Sequence, residues 1–538
     1  MTASLQVDTT ELHLAWRRML LDRPDRVFVS HPASIEWIKG ALDDWLSHAQ
    51  QHLAAGYLPR TSRLCLVPKA GDLLRPGSIL DLEDELVYNL LVGRMLAHIA
   101  EFLQPLQGDP DVAYQLQPDP SLPRWVLSGY RIWRQWREKS LTKLTGDSAY
   151  VLFTDLSGFY DNIDLPRLFS DLRSLGATEP DLRLLSDCLK KWSYPRGKGI
   201  PQGYSASDIL AKVYLGSMDF ALKNEGLIHL RYVDDVRIFC KSRLAARKAI
   251  RRITELLHGR GLTLQAAKTM IRARQEARIE IDGVTPLIEA LQQQLLEEVQ
   301  EEFEEFGSYM NPTRLAILRG DSATLNVEVL ERAFHDNFSI AGGVFNASLF
   351  RFLLHRLGSV RSRVAVDHVF DAIRVRPEET RVVLRYLSAI RPTPEEVEAV
   401  ATCLASRDTI SDYQRFELLR WFYEEKHNSA NVLALARRWA MDANREPWLR
   451  SYALAYLGEY GDAADFERLE RRFQGLEGDL EKAECLTAMR RQEKGRRNAL
   501  YARVEEEGFF TKLAVLGIKS SEANPTTKKR VRRTVAQG

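Results

Sequence analysis

Apolar side chains recur along this chain with two different periods, and the places where the period changes mark out its parts. Within residues 1–60, Ile35, Ile38, Leu42, Trp45, Leu46 and Ala49 fall three and four apart, the stripe of a helix, with Ser34 placed as its N-cap. Arg63 to Asp72 then reads as an extended segment with a turn, and helical spacing returns through Leu86, Leu90, Leu91, Met95, Ile99 and Phe102 as an amphipathic helix. The proline-rich stretch from Gln115 to Pro123 predicts a loop. From about 124 to 280 helix-like and strand-like segments alternate, the pattern of an α/β layer structure. Residues 227–231 and 236–241 are short β-prone runs. In the second, Val236, Ile238 and Cys240 alternate with Arg237, Phe239 and Lys241, which predicts a half-buried strand. The two runs predict a hairpin with residues 232–235 at its tip.

Beyond about 285 the strand pattern stops. An acidic helix carrying Glu297, Glu298, Glu301, Glu302, Glu304 and Glu305 leads into short helices separated by polar breaks, predicted over 380–390, 395–404, 412–424, 430–441, 447–459 and 462–473. The helix from Pro447, the break at Tyr460-Gly461 and the next helix at Asp462 resemble a HEAT-type repeat of irregular period. The tail from Lys519 to Gly538, with Lys528-Lys529-Arg530-Val531-Arg532-Arg533, predicts disorder. The expected organisation is an N-terminal helical segment 1–60, an α+β region 61–285, an all-α repeat region 286–518 and a basic tail 519–538.

Composition narrows the class without choosing it. The chain has 538 residues, 45% hydrophobic and 28% charged, enough for two or more cored domains. A formal charge of +2 does not by itself announce a nucleic-acid binder, so any basic surface must be local. Cys65, Cys188, Cys240, Cys403 and Cys485 are scattered with no CxxC pair, which predicts neither a disulfide framework nor a cysteine zinc site. Residues 1–10 lack the layout of a signal peptide, and no uninterrupted apolar run approaches ~18 residues. A cytoplasmic protein without a membrane partner is expected.

The chemistry lies where strand-like runs meet aspartates. Asp155 follows Val151-Leu152-Phe153-Thr154, and Asp234-Asp235 follows Arg231-Tyr232-Val233. Carboxylates are hard oxygen ligands, and three of them on adjacent strands suit two magnesium ions, with the Leu156 carbonyl as a further oxygen. Asp-Asp at a turn otherwise satisfies backbone donors. Between the two aspartate sites lies Gly199-Ile200-Pro201-Gln202-Gly203, and a helix over 205–222 comes after it. The segment from Trp125 to Lys143 interleaves Trp125, Tyr130, Trp133 and Trp136 with Arg131, Arg134, Arg137 and Lys139. That pattern suits a nucleic-acid track or a helical core stripe, and the residues leave both open.

In order and spacing, the Asp155 motif, Pro201-Gln202-Gly203 and Tyr232-Val233-Asp234-Asp235 resemble the palm of a reverse transcriptase, over about residues 60–280. The resemblance implies a right-hand fingers and palm fold followed here by helical repeats. It also implies RNA-directed DNA synthesis with Asp155, Asp234 and Asp235 as catalytic metal ligands for two Mg2+ ions, for which Mn2+ substitutes. It makes Tyr160 the ring that rejects a 2′-hydroxyl, with Phe159 beside it. Gln202 and Gly203 become the backbone approach to the nucleotide, and Lys268 a cation near the leaving pyrophosphate. Lys69 and Arg75 match the basic pair that grips the triphosphate, although Ile79 to Asp84 matches the family's next segment only loosely. The implied partners are deoxynucleoside triphosphates, an RNA template or noncoding RNA, and a DNA product. Helices directly after the palm look like the bacterial abortive-infection and defence-associated enzymes, which implies antiphage DNA synthesis, sometimes template-independent or protein-primed, and self-assembly. Alternatives are a retron or group II intron-like enzyme, although Val284-Thr285 is followed by Pro286 where retrons carry glycine, or a repeat platform bearing an inactive palm.

Overall fold

Contacts along the chain divide the protein into two units, one built of residues 1–29, 46–65 and 76–283, the other of 30–45, 66–75 and 284–538. The computed structural model describes residues 4–22, 28–29, 32–117, 119–127, 129–193, 195–306, 316–317, 321–339, 345–476, 478–504 and 507–523. The first 60 residues do not stand apart. Helix α1 (Thr9–Asp22) and the latter part of α3 (Leu42–Gly56) belong to the first unit, whereas α2 (Pro32–Gly40) belongs to the second. Ser34 lies inside α2 rather than capping it, because the helix opens at Pro32, where a missing N–H costs no bond.

The extended segment is a hairpin of β1 (Arg63–Lys69) and β2 (Leu73–Ile79). The proline-rich stretch is not all loop, since β3 (Gln115–Leu116) pairs with β4 (Val126–Leu127). The helices of the first unit continue as α4 (Leu82–Leu103), α5 (Tyr130–Thr145), the one-turn α6 (Phe159–Asn162), α7 (Leu165–Ser174), α8 (Glu179–Trp192), α9 (Ser205–Asn224), α10 (Arg243–His258) and α11 (Arg274–Asp282). Side chains of Asp164, Thr178 and Ser242 cap α7, α8 and α10 by accepting from a first-turn backbone N–H. Among the described residues, α4 is the one helix long and apolar enough to cross a membrane, yet it is wrapped by α1, α8 and α9 and buries Glu83, Asp84, Glu85 and Asn89. It is therefore a core helix, buried all round from Leu82 to Val92, and amphipathic as its spacing predicts only beyond that, where Ala97, His98 and Glu101 are exposed opposite Met95 and Ile99.

The centre of this unit is a four-stranded antiparallel sheet in the order β6 (Ile228–Tyr232), β7 (Asp235–Cys240), β5 (Tyr150–Thr154), β8 (Met270–Ala273). One face packs on α5 and α11 through Val151, Phe153, Leu230, Phe239, Ile132, Trp136 and Ile281, and α9 and α10 also pack on the sheet. Covered in this way, β7 is buried on both faces, which corrects the half-buried expectation. Arg237 is held inside by stacking 3.5 Å from the Trp136 ring centroid and donating to Ser140 Oγ at 2.9 Å.

The second unit is helical throughout its described residues after Val284. Helices Ala347–Ser359, Thr380–Ile390, Asp412–Glu424, Pro447–Tyr460, Asp479–Ala488 and Phe509–Ala523 form a row in which each packs on the next, and α2 packs on the last. Val366–Val375, Pro394–Ala405 and Ala430–Met441 form a second row alongside. The polar breaks are helix caps. Thr393 and Glu396 close a capping box, as do Asp462 and Asp465, while Ser411 and Ser429 cap singly. The expected disordered tail begins later than its composition suggests, since residues 519–523 continue the last helix; Lys528 to Arg533 lie outside the described residues.

Candidate active site

The antiparallel register of β5 and β7 pairs Thr154 with Val236, so Asp155, one residue on, comes opposite Asp235. Across β6 and β7, Tyr232 pairs with Asp235, which leaves Val233 and Asp234 as a two-residue turn. Val233 has φ +60°, a conformation that costs a β-branched residue on the order of 1–3 kcal/mol. Its carbonyl is held by Arg231 Nη1 at 3.0 Å. Arg231 is itself 1% exposed and gripped from both sides, by Asp219 at 2.7 Å and Asp111 at 2.8 Å. Lys212 bonds Asp111 at 2.5 Å and the Ala113 carbonyl at 2.7 Å, while His229 reaches Asp219 at 3.2 Å. Two buried cations thus balance two buried carboxylates under the turn. Residues 110–112 run along the outer edge of β6, exchanging Arg231 N–H to Pro110 and Val112 N–H to Arg231, both at 2.9 Å.

Asp155, Asp234 and Asp235 form a negatively charged corner. Burial and then the charges of Asp155 and Asp235 push Asp234 up to about 6, and burial and then Asp155 raise Asp235. Lys268 stands on a 3-10 turn, Ala266–Lys268, with its ammonium 2.5 Å from Asp155 Oδ2. Burial pulls this lysine down, but its bond to Asp155 and the surrounding aspartates outweigh that and raise it. The lysine occupies the place of a cation beside the carboxylates, and the donor set is all hard oxygen. Leu156 bridges Leu264, with Gln265 N–H on the Asp155 carbonyl at 2.7 Å and Ser157 N–H on the Thr263 carbonyl at 2.9 Å. In such a bridge the N–H and C=O of Leu156 itself face the opposite edge, toward β7.

Tyr160 and Phe159 open α6 directly after this corner, both buried, their ring centroids 5.3 Å apart. The Tyr160 hydroxyl donates to Asp208 Oδ1 at 2.5 Å, and burial and then the charge of Asp208 hold the phenol well above its ordinary range. The Tyr160 carbonyl accepts from Ile200 N–H at 2.9 Å, so the Gly199 to Gly203 segment docks on α6. Gly199 has φ +90°, and a Cβ there would meet the Asp161 backbone at 2.8 Å, so this approach requires glycine. Gly203 has φ +103°, and half-buried Gln202 precedes it at the mouth of α9.

Lys69 and Arg75 stand exposed on the two strands of the β1–β2 hairpin. The ring-and-cation segment proves largely structural. Trp125 is buried with Nε1 on Ser205 Oγ at 2.6 Å, Trp136 lies under Arg237, Arg137 pairs with Asp282 at 2.5 Å and Lys139 bonds the Gly108 carbonyl at 2.5 Å. Only Trp133 of the three described tryptophans keeps 40% exposure. Sequence reasoning missed Asp208 and the charge network of Asp111, Lys212, Asp219 and Arg231. A signal existed, since Asp208, Lys212 and Asp219 are charges at the start of or within the largely apolar run of residues 209–220.

Residues 67–319 match the family model described as reverse transcriptase (RNA-dependent DNA polymerase), so the chain carries a reverse transcriptase domain. Over 133 residues it is 27% identical to the Retron Ec86 reverse transcriptase of Escherichia coli, a match spanning 24% of this chain and 40% of that protein's length. Among solved structures, telomerase of Candida albicans with a TWJ fragment of telomeric RNA is similar at a TM-score of 0.31 and 12% identity, covering 73% of this chain and 68% of that one. Telomerase of Candida tropicalis with the same kind of fragment gives 0.32 and 14%, covering 71% and 67%.

Proposed function

We propose that this chain is an RNA-directed DNA polymerase that adds deoxynucleotides by two-metal phosphoryl transfer. The observation that carries the reading is the corner of Asp155, Asp234 and Asp235 on adjacent strands, inside the matched domain, with Lys268 drawn onto it. The three carboxylates and the Leu156 carbonyl would hold two magnesium ions, with manganese as a substitute. When bound, such ions clamp the attacking and leaving oxygens of an in-line displacement. The remaining roles belong to the chain itself. The Tyr160 ring, pinned by Asp208, closes the space that a ribose 2′-hydroxyl would fill. The backbone at Gly203 lets the nucleotide approach, with Gln202 beside it. Lys268 exchanges its bond to Asp155 for the developing charge of the pyrophosphate.

The helical rows of the second unit support a HEAT-like solenoid, and such arrays serve as extended binding surfaces. We assign it to holding nucleic acid or to self-assembly, and the whole chain to DNA synthesis in bacterial antiphage defence. The test is incorporation of labelled deoxynucleotides on an RNA template with a DNA primer, comparing wild type with an Asp234→Ala, Asp235→Ala variant, alongside phage challenge of cells carrying each. Incorporation by wild type and none by the variant is expected. Equal incorporation removes the polymerase reading, and protection by the variant shifts function to the helical unit as a binding platform.

A further inference from the structure

We infer that His48, His52 and Glu83 form a binding site for a single zinc-class dication, separate from the aspartate corner. His48 and His52 are one helical turn apart on α3, on one face, with ring centroids 4.0 Å apart. Glu83 projects from the first turn of α4, and its Oε1 lies 2.8 Å from His52 Nδ1. One donor atom from each of the three lies within 4.8 Å of the other two, and among the described residues this is the one such trio of His, Cys, Asp or Glu.

Ligand chemistry chooses the metal. Two imidazoles with one carboxylate favour zinc or its borderline neighbours, whereas magnesium takes oxygen and keeps its water. With metal–ligand distances near 2 Å, the edge of a tetrahedral site is about 3.4 Å. The His52–Glu83 pair, at 2.8 Å, is already inside that length, and the donor atoms of all three residues lie within 4.8 Å of one another. Glu83 is buried while His52 is exposed, so the site has an anchored carboxylate and an open side for entry and for a water as fourth ligand.

The charge balance points the same way. Asp81, Glu83, Asp84 and Glu85 crowd the start of α4, the last three buried. Arg60 pairs with Asp81 at 2.9 Å and the Tyr57 hydroxyl donates to Asp84 at 2.8 Å, while the described hydrogen-bond partner of the Glu83 carboxylate is the His52 imidazole. A dication at this point offsets a buried carboxylate and ties the latter half of α3 to α4. The five cysteines offer no competing cluster among the described residues, since none joins such a trio.

The test uses the full chain without an affinity tag, stripped by chelator and held in a large excess of magnesium to saturate oxygen sites. Zinc titration by calorimetry should show one equivalent bound, and cobalt should give the visible absorption of a tetrahedral nitrogen and oxygen site. A His48→Ala, His52→Ala variant, with its fold checked by circular dichroism, should lose affinity by more than the roughly 10–100-fold that an outer-shell change alone costs. Asp234→Asn should bind zinc as wild type does. Absence of a saturable equivalent, wild-type affinity in the double histidine variant, or loss of zinc in Asp234→Asn each overturns the assignment.

Discussion

The turn that carries Asp234 stands on a buried, electrically balanced network, and removing one of its charges has consequences of calculable size. Asp219→Asn keeps the side-chain volume and leaves Arg231 and Lys212 facing Asp111 as the remaining carboxylate of the four. Asp219 accepts from Arg231 Nε at 2.9 Å, from Nη2 at 2.7 Å and from His229 Nε2 at 3.2 Å, and Arg231, Lys212, Asp111 and Asp219 are each at most 2% exposed. Breaking a buried pair in this way costs about 3–5 kcal/mol, a large part of the roughly 5–15 kcal/mol that stabilises a typical domain. Burial already holds Lys212 below its ordinary range, and Asp219 is one of the charges that raise it, so the variant's lysine falls further. Between the lowered pKa of Lys212 in the folded variant and its ordinary value in the unfolded chain, the folded variant binds fewer protons, so its stability must rise with pH over a wider range than that of wild type.

Urea denaturation at neutral pH and about two units higher measures both effects. Hydrogen exchange at β6 and β7 amides locates the loss, since a two-unit chain need not unfold in one step. Adding Lys212→Met to the variant restores charge balance and should recover about 2 kcal/mol or more, a coupling that independent sites do not show. Nucleotide incorporation should fall with Asp219→Asn because Arg231 no longer fixes the Val233 carbonyl. A loss under about 1 kcal/mol, or strict additivity with Lys212→Met, would falsify the electrostatic account of this network.

Asp234 is held at about 6 by burial and by Asp155 and Asp235, so its ionisation destabilises the metal-free fold as pH rises from about 4 through 6. Asp234→Asn should therefore be more stable than wild type in chelator above that pH, by up to about 3 kcal/mol, while losing incorporation; equal melting temperatures would refute the repulsion. Tyr160→Ala should raise ribonucleotide use relative to deoxyribonucleotide use, Tyr160→Phe should change it little, and Asp208→Asn should fall between, read as kcat/KM ratios. An unchanged ratio in Tyr160→Ala moves the gate to another side chain. At the end of the helical row, a Cβ on Gly517 would come 2.6 Å from Trp37 Cα, so Gly517→Ala should destabilise the second unit by about 1–3 kcal/mol through the α2 contact. Wild-type protection of α2 amides in that variant would place α2 elsewhere.

Local patterns were the legible part. The β6–β7 hairpin and the helical bounds beyond residue 380 come from period, turn and cap residues close together in sequence, and the structure places them within a residue or two of the pattern. What failed was inference about surroundings. Period-two alternation in β7 reads as one wet face, but Arg237 finds Trp136 and Ser140 from α5, about 100 positions away, and is drawn inside. In helix α4 the apolar spacing from Leu86 to Phe102 says nothing of the charged first turn, where His52 meets Glu83 and Tyr57 and Arg60 meet Asp84, so that both carboxylates lie within. Likewise nothing near residue 37 in sequence says that its partner is a helix at residue 509 and beyond.

The same contrast explains why the aspartates were readable and their support was not. Asp155, Asp234 and Asp235 stand at strand ends in a spacing that local rules detect, and the metal they suit is implied by their own chemistry. Arg231 adjoins that motif in sequence, yet its work depends on Asp219 twelve positions earlier and Asp111 far upstream. The readable trace of that dependence lies in α9. A helix buried on all sides from Ser205 to Gly216 and again at Met218 and Asp219 tolerates Asp208, Lys212 and Asp219 only if each meets an opposite charge or a strong donor, since an unpaired buried charge is too costly to keep. Each does: Asp208 meets Tyr160, Lys212 meets Asp111, and Asp219 meets Arg231. Two of those pairs hold the turn and the third fixes the ring beside it, so these three charged residues of one helix trace the support of the whole corner.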